Sequence, residues 1–163
     1  MSILPGIIKS LFNFEDSPFR FEKVCIDLYR KAEGVELVPT STSWDLGIDA
    51  RTISVLFKGR ELGAVLCATL SADVDEKVER DIRRVVEKIT PKRIVYCSSR
   101  PLSEHRCDRI EANIRTLAPS ADSVVVLGQI QLVELGQRYQ EVLQKHYAAE
   151  IHTIEQEVPS QGV

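Results

Sequence analysis

The chain has 163 residues, 44% of them apolar and 28% charged, with a formal net charge of −3, the size and balance of one globular domain with a full core. This excludes a strongly basic nucleic-acid-binding chain and a low-complexity disordered one. No run approaches the roughly eighteen uncharged apolar residues of a membrane span, and the first nine residues show no basic leader or long apolar stretch, so a soluble, cytoplasmic protein is expected.

Residues 1–18 form an apolar lead-in, with Ile7, Ile8, Leu11 and Phe12 at helical spacing before Pro18. Over 19–33, Phe21, Val24, Cys25, Leu28, Tyr29 and Ala32 recur at the period of a one-sided helix, which Gly34 stops. Residues 35–39 read as a short strand. The Thr/Ser-rich stretch from Thr40 to Trp44 then leads as a loop into Asp45 and Asp49. Next come two strand-like runs, 48–57 and 62–70, joined by a turn at Lys58-Gly59-Arg60. Asp73 with Glu76 matches a capping box, and Val74, Val78, Ile82, Val85, Val86 and Ile89 make the apolar stripe of a helix closed by Pro91. A strand at 93–98, a helix opened by Ser103 and a strand at 123–127 follow. A last helix is expected over about 130–149 and a linker-like tail from 151 to 163.

The predicted order from residue 19 is α-β-β-β-α-β-α-β-α, a hairpin followed by strand and helix alternation that implies parallel crossovers. The fold class is therefore α/β, with a mixed central sheet of about five strands and helices on both faces, in one domain over 19–150. Cys25, Cys67, Cys97 and Cys107 sit in apolar periodic segments without C-x-x-C pairing, which favours buried thiols over zinc or disulfides. His105, His146 and His152 lack metal-ligand neighbours.

Charge is uneven along the chain. Residues 1–76 carry 8 basic and 12 acidic side chains, 77–115 carry 11 and 6, and 116–163 carry 2 and 6. The basic middle third suits phosphate, with Arg80 and Arg84 as candidate nucleic-acid contacts, but the alternating Glu and Arg of 79–84 equally fit a solvated helix face. Arg100, just past a buried strand at the end where open α/β sheets place binding crevices, is a third candidate phosphate contact.

A helix with an early Glu, a Gly-Ile-Asp loop into a hairpin, a Cys-containing tripeptide in the second strand and the αβαβα remainder together resemble the PD-(D/E)XK, restriction-endonuclease-like superfamily, in its Mrr-like variety. Such domains are common at one end of large bacterial NTPase and defence proteins. The resemblance covers about residues 19–149. It implies catalytic roles for Glu22 and for Asp49, with Asp49 binding Mg²⁺. The family's second-strand Glu-x-Lys or Gln-x-Lys falls on Leu66-Cys67-Ala68, or one step along on Cys67-Ala68-Thr69, and in both registers the acid or amide and the Lys are missing. Lys77 on the next helix is the candidate for a migrated catalytic Lys. Loss of one preorganised charge-stabilising donor typically costs about 10²- to 10³-fold.

The expectation is thus a degenerate nuclease-like domain that binds nucleic acid or serves assembly within a larger bacterial protein. Its expected partners are DNA, further domains of the same polypeptide and other copies of the chain, with no membrane. Two rivals stand beside it: an active Mg²⁺-dependent DNA endonuclease using Glu22, Asp49 and Lys77, and a small-molecule-binding α/β sensor domain using the crevice near Arg100.

Overall fold

The computed structural model describes residues 3–13, 18–39 and 52–157. Helix α1 (Pro5–Phe12) opens on a proline, whose missing N–H costs nothing in a first turn, and buries Ile8, Leu11 and Phe12. Helix α2 (Pro18–Glu33) ends where Gly34 takes φ +65° and donates its N–H to Arg30 O at 3.1 Å, the left-handed cap that glycine adopts without strain. Strands β1 (Val38–Pro39), β2 (Ile53–Lys58) and β3 (Glu61–Thr69) follow, the last two joined by a turn in which Gly59 takes φ +67°.

Helix α3 (Val74–Lys88) is capped by Asp73, whose side chain accepts from Glu76 N, and helix α4 (Glu104–Leu117) by Ser103, which accepts from Arg106 N; each such cap is worth about 1 kcal/mol. They alternate with β4 (Arg93–Ser98) and β5 (Ser123–Leu127), and the chain continues through α5 (Gln129–Arg138) and α6 (Gln140–Glu157). The sheet order is β1-β2-β3-β4-β5, antiparallel through β3 and parallel from β3 to β5.

Side-chain alternation along the strands divides the interior in two. Leu56, Ala64, Leu66, Ala68, Val95 and Cys97 face α2, with α1, α5 and α6 packed beyond it. Ile53, Val55, Val65, Cys67, Ile94, Tyr96 and Val124 face α3 and α4. Helix α2 buries Ile26 as well as most of its predicted stripe, because it lies between the sheet and the terminal helices.

The lead-in, with its apolar residues at helical spacing, is a helix packed in the main core: the Phe12 and Phe21 rings meet edge-on at 5.9 Å, and Ile3 N donates to Gln140 Oε1 at 3.0 Å. Several other expectations need correction. The first strand is described over Val38–Pro39, and residues 35–37 lie outside it. Of the two hairpin strands, the first is described from Ile53, and β3 alone occupies the middle of the sheet. A bulge between Leu56 and Phe57 breaks their register beside Gly63, where an added Cβ would come within 2.6 Å of Leu37 Cδ2. Val86 and Ala32 are exposed, whereas the charged Asp81 is wholly buried.

The expected last helix is two. The chain breaks at Tyr139 (φ −121°, ψ 59°), and α6 continues to Glu157, through residues expected to form a tail, with Ile151 buried and a kink at Tyr147. Among the described residues no helix is long and apolar enough to cross a membrane.

Candidate functional site

Glu22 sits in the second turn of α2, among Phe21, Val24 and Cys25 that dock the helix on the sheet, and is only 5% exposed. Ser54 of β2 donates its hydroxyl to Glu22 Oε1. Burial pushes the Glu22 carboxyl up to about 8, the nearby Lys23 charge opposing weakly, so at neutral pH the acid is mostly protonated. One turn on, Cys25 hydrogen-bonds with the Cys97 thiol of β4. Burial, then Cys97, then Glu22 raise the Cys25 thiol well above its ordinary range, which keeps it protonated and unreactive.

Directly beneath lies the stretch of β3 that aligns with the second-strand motif. Ser54 pairs with Leu66 and Ile53 with Cys67, and Ala68 N donates to Thr52 O at 3.0 Å. Leu66 and Ala68 share the face of Glu22, each fully buried, while Cys67 points the other way. The register Leu66-Cys67-Ala68 therefore aims its outer two residues at Glu22, and the register Cys67-Ala68-Thr69 aims its outer two away. On the Glu22 face neither an acid nor an amine stands at either position.

Lys77 is on the opposite face. Its Nζ donates to Asp81 Oδ1 at 2.7 Å, one helical turn along α3, and Asp81 Oδ2 accepts from the Tyr96 hydroxyl at 2.9 Å. Burial, then the Asp81 charge, push the Tyr96 hydroxyl far above its ordinary range. The Cys67 thiol, on this same face, is raised by burial first and then by the Asp81, Cys97 and Glu22 charges, with Lys77 opposing. Asp81 and Ser54 escaped the sequence reading. The signal for Asp81 was its i,i+4 spacing from Lys77; Ser54 had none beyond its place in an alternating strand.

The candidate phosphate contacts are dispersed and engaged. Arg80 pairs with Glu76 at 2.9 Å, and the pairs Arg83–Glu79 and Arg115–Glu111 repeat that i,i+4 pattern. Arg106 and Arg109 both reach Asp75, and Arg93 reaches Glu33 at 3.0 Å. Arg84 lies exposed on the outer face of α3. Arg100 donates Nε to Leu70 O at 3.1 Å, and its carbonyl accepts from Gln129 N, so it ties together the loops after β3, β4 and β5. Beside it an added Cβ on Gly128 would meet Leu102 Cβ at 2.9 Å, and Gln131 Oε1 accepts from Gly128 N.

Asp49, with Asp45 and Trp44, lies outside the described residues. Around Glu22 the described side chains do not fit Mg²⁺, which takes anionic oxygens: Glu22 is the one carboxylate among them, and it is mostly protonated. Among the described residues no group of three or more His, Cys, Asp or Glu could hold a metal ion.

A second polar cluster ties α6 to α2. Asp27 Oδ2 meets His146 Nε2 at 2.6 Å and accepts from Lys145 Nζ at 3.3 Å, at the wall of an open cleft of about 540 Å³ lined also by Arg30, Lys31 and Glu141. Burial raises the Asp27 carboxyl, but the hydrogen bond with His146 and the Lys145 charge outweigh it and hold the group below its ordinary value.

The fold and its buried groups define an α/β domain with a five-stranded mixed sheet. No protein-family model, curated protein or solved structure matches this chain.

Proposed function

We propose that this chain is a PD-(D/E)XK nuclease-like domain whose nuclease centre is degenerate, serving as an assembly or nucleic-acid-binding module of a larger bacterial, defence-type protein. The observation that carries the reading is the pair Leu66 and Ala68. They occupy the Glu22 face of the central strand, where this chemistry needs an acid or amide and a Lys, and both are buried and apolar. A protonated Glu22 and a Lys77 bound to Asp81 on the far face support it further. Without the Lys on that strand, the centre loses the donor that offsets the negative charge developing on a phosphate.

Between the two roles, assembly is favoured. The arginines of α3 and α4 are mostly engaged with acids of the same helices, which lowers the positive potential available to a phosphate backbone. Calorimetric titration with Mg²⁺ tests the degenerate centre, with no tight binding expected. Tight binding lost in Asp49→Ala would favour the active endonuclease instead. Fluorescence anisotropy with duplex DNA tests the role: salt-sensitive binding weakened by Arg84→Glu would make nucleic acid the partner.

A further inference from the structure

We propose that β5 is the seam of a two-fold dimer, in which the sheet of one chain continues into a second copy through antiparallel pairing of the two β5 strands. The two edges of the sheet are built differently. Strand β1, described over Val38–Pro39, carries a proline, a device that hinders strand addition. Strand β5, Ser123–Leu127, has no proline, charge or bulge. It hydrogen-bonds with β4 on one side, and on the other its backbone has no strand partner among the described residues. Val125, Val126 and Leu127 are only partly buried, while Ile94 to Cys97 on the adjoining strand are fully buried.

A two-fold axis normal to the sheet through Val125 pairs Val125 with its own copy and Val124 with the partner copy's Val126, both apolar matches on the correct faces. Beside β5 lies a recess of about 260 Å³ between α2 and α5, where the Tyr29 hydroxyl is buried without a partner among the described residues. Its rim carries Glu134 and Arg138, one turn apart on α5. The same symmetry brings each α5 towards the other with these charges reversed, so the rims are complementary. A second copy of this chain therefore suits the edge better than an unrelated strand.

The dimer does not depend on the nuclease likeness: a chain that dimerised through β5 and also cleaved DNA would leave it standing while ending the reading above. Sedimentation velocity on the 163-residue chain is the test. Wild type is expected to show a concentration-dependent dimer. Val126→Lys, a charge on the seam, should raise its dissociation constant at least about ten-fold, whereas Val38→Lys on the opposite edge should not change it. Val125→Cys should form a disulfide-linked dimer on oxidation that wild type does not form, since facing residues of an antiparallel pair lie within about 4.5–5.5 Å. If Val126→Lys proves unfolded by circular dichroism, the Val125→Cys cross-link decides alone. A wild-type monomer at every concentration reached, a dimer insensitive to a folded Val126→Lys, or no cross-link would overturn the proposal.

Discussion

Glu22 and Lys77 lie on opposite faces of the sheet, with β3 between them. Both act electrostatically on Cys67 in that strand, and each is engaged on its own face, Glu22 by Ser54 and Lys77 by Asp81. A catalytic Lys that has migrated to α3 would have to leave Asp81, and that would strand a wholly buried carboxylate.

The burial of Glu22 predicts an unusual pH profile. Its carboxyl is about 8 when folded against 4.5 for the free side chain, so between those values the folded chain holds a proton that the unfolded chain has released. Stability should therefore fall as pH rises through this window, by up to about 1.4 kcal/mol per pH unit from this group, and level off above it. Glu22→Gln, an amide of the same shape that Ser54 can still serve, should flatten the slope. Urea unfolding at several pH values from 5 to 9 measures it, and parallel profiles for the two proteins would refute the assignment.

Asp27 should behave in the opposite sense. Its folded carboxyl lies below the ordinary 3.8, so the stability it contributes is present above that value and lost as pH falls through its folded range. Asp27→Asn should cost about 1–2 kcal/mol at neutral pH, and the difference from wild type should shrink in strong acid. A gap that stays constant down to acid unfolding would mean that the cost is one of packing.

Much of this organisation was legible because single patterns decide it. The strands at Arg93–Ser98 and Ser123–Leu127 are short apolar runs between turn residues, and α3 and α4 begin at caps visible as Asp73 and Ser103. Tertiary packing decides the rest. Pairing with Lys77 and Tyr96 is what keeps Asp81 inside the stripe of α3, and no periodicity reports it. The break at Tyr139 follows Gly136, where an added Cβ would meet Leu143 at 3.1 Å and Ile8 at 3.3 Å, so the close packing of α1, α5 and α6 shapes that turn. Of the candidate site, Glu22 was found from the resemblance alone; its partner Ser54 required the β2–β3 register.

The buried Asp81, held by Lys77 and Tyr96 on the far face, gives a stability prediction. Asp81→Ala should cost about 3 kcal/mol or more, because it leaves the Tyr96 hydroxyl buried without its acceptor and Lys77 without its counter-charge. Combining Asp81→Leu with Tyr96→Phe replaces both buried polar partners by apolar ones and should recover at least half of that loss. Unfolding free energies of the two variants test this. Equal losses would show that shape at Asp81, and not hydrogen bonding, governs the site.

The last prediction concerns chemistry. Incubation with plasmid and single-stranded DNA in Mg²⁺ and in Mn²⁺ should give no more than trace cleavage. On the face of Glu22 the central strand offers Leu66 and Ala68, and Glu22 itself is mostly protonated near pH 7, so among the described residues a metal ion there would find neither a full set of anionic ligands nor a Lys on that strand. Raising the pH to 9 ionises Glu22 but supplies no Lys, so activity should not appear there either. Robust cleavage abolished by Asp49→Ala would overturn the degenerate reading, and Lys77→Ala would then separate two cases. Loss of activity would require Lys77 to leave Asp81 and act past the sheet edge, whereas unchanged activity would place the charge-stabilising group elsewhere in the chain.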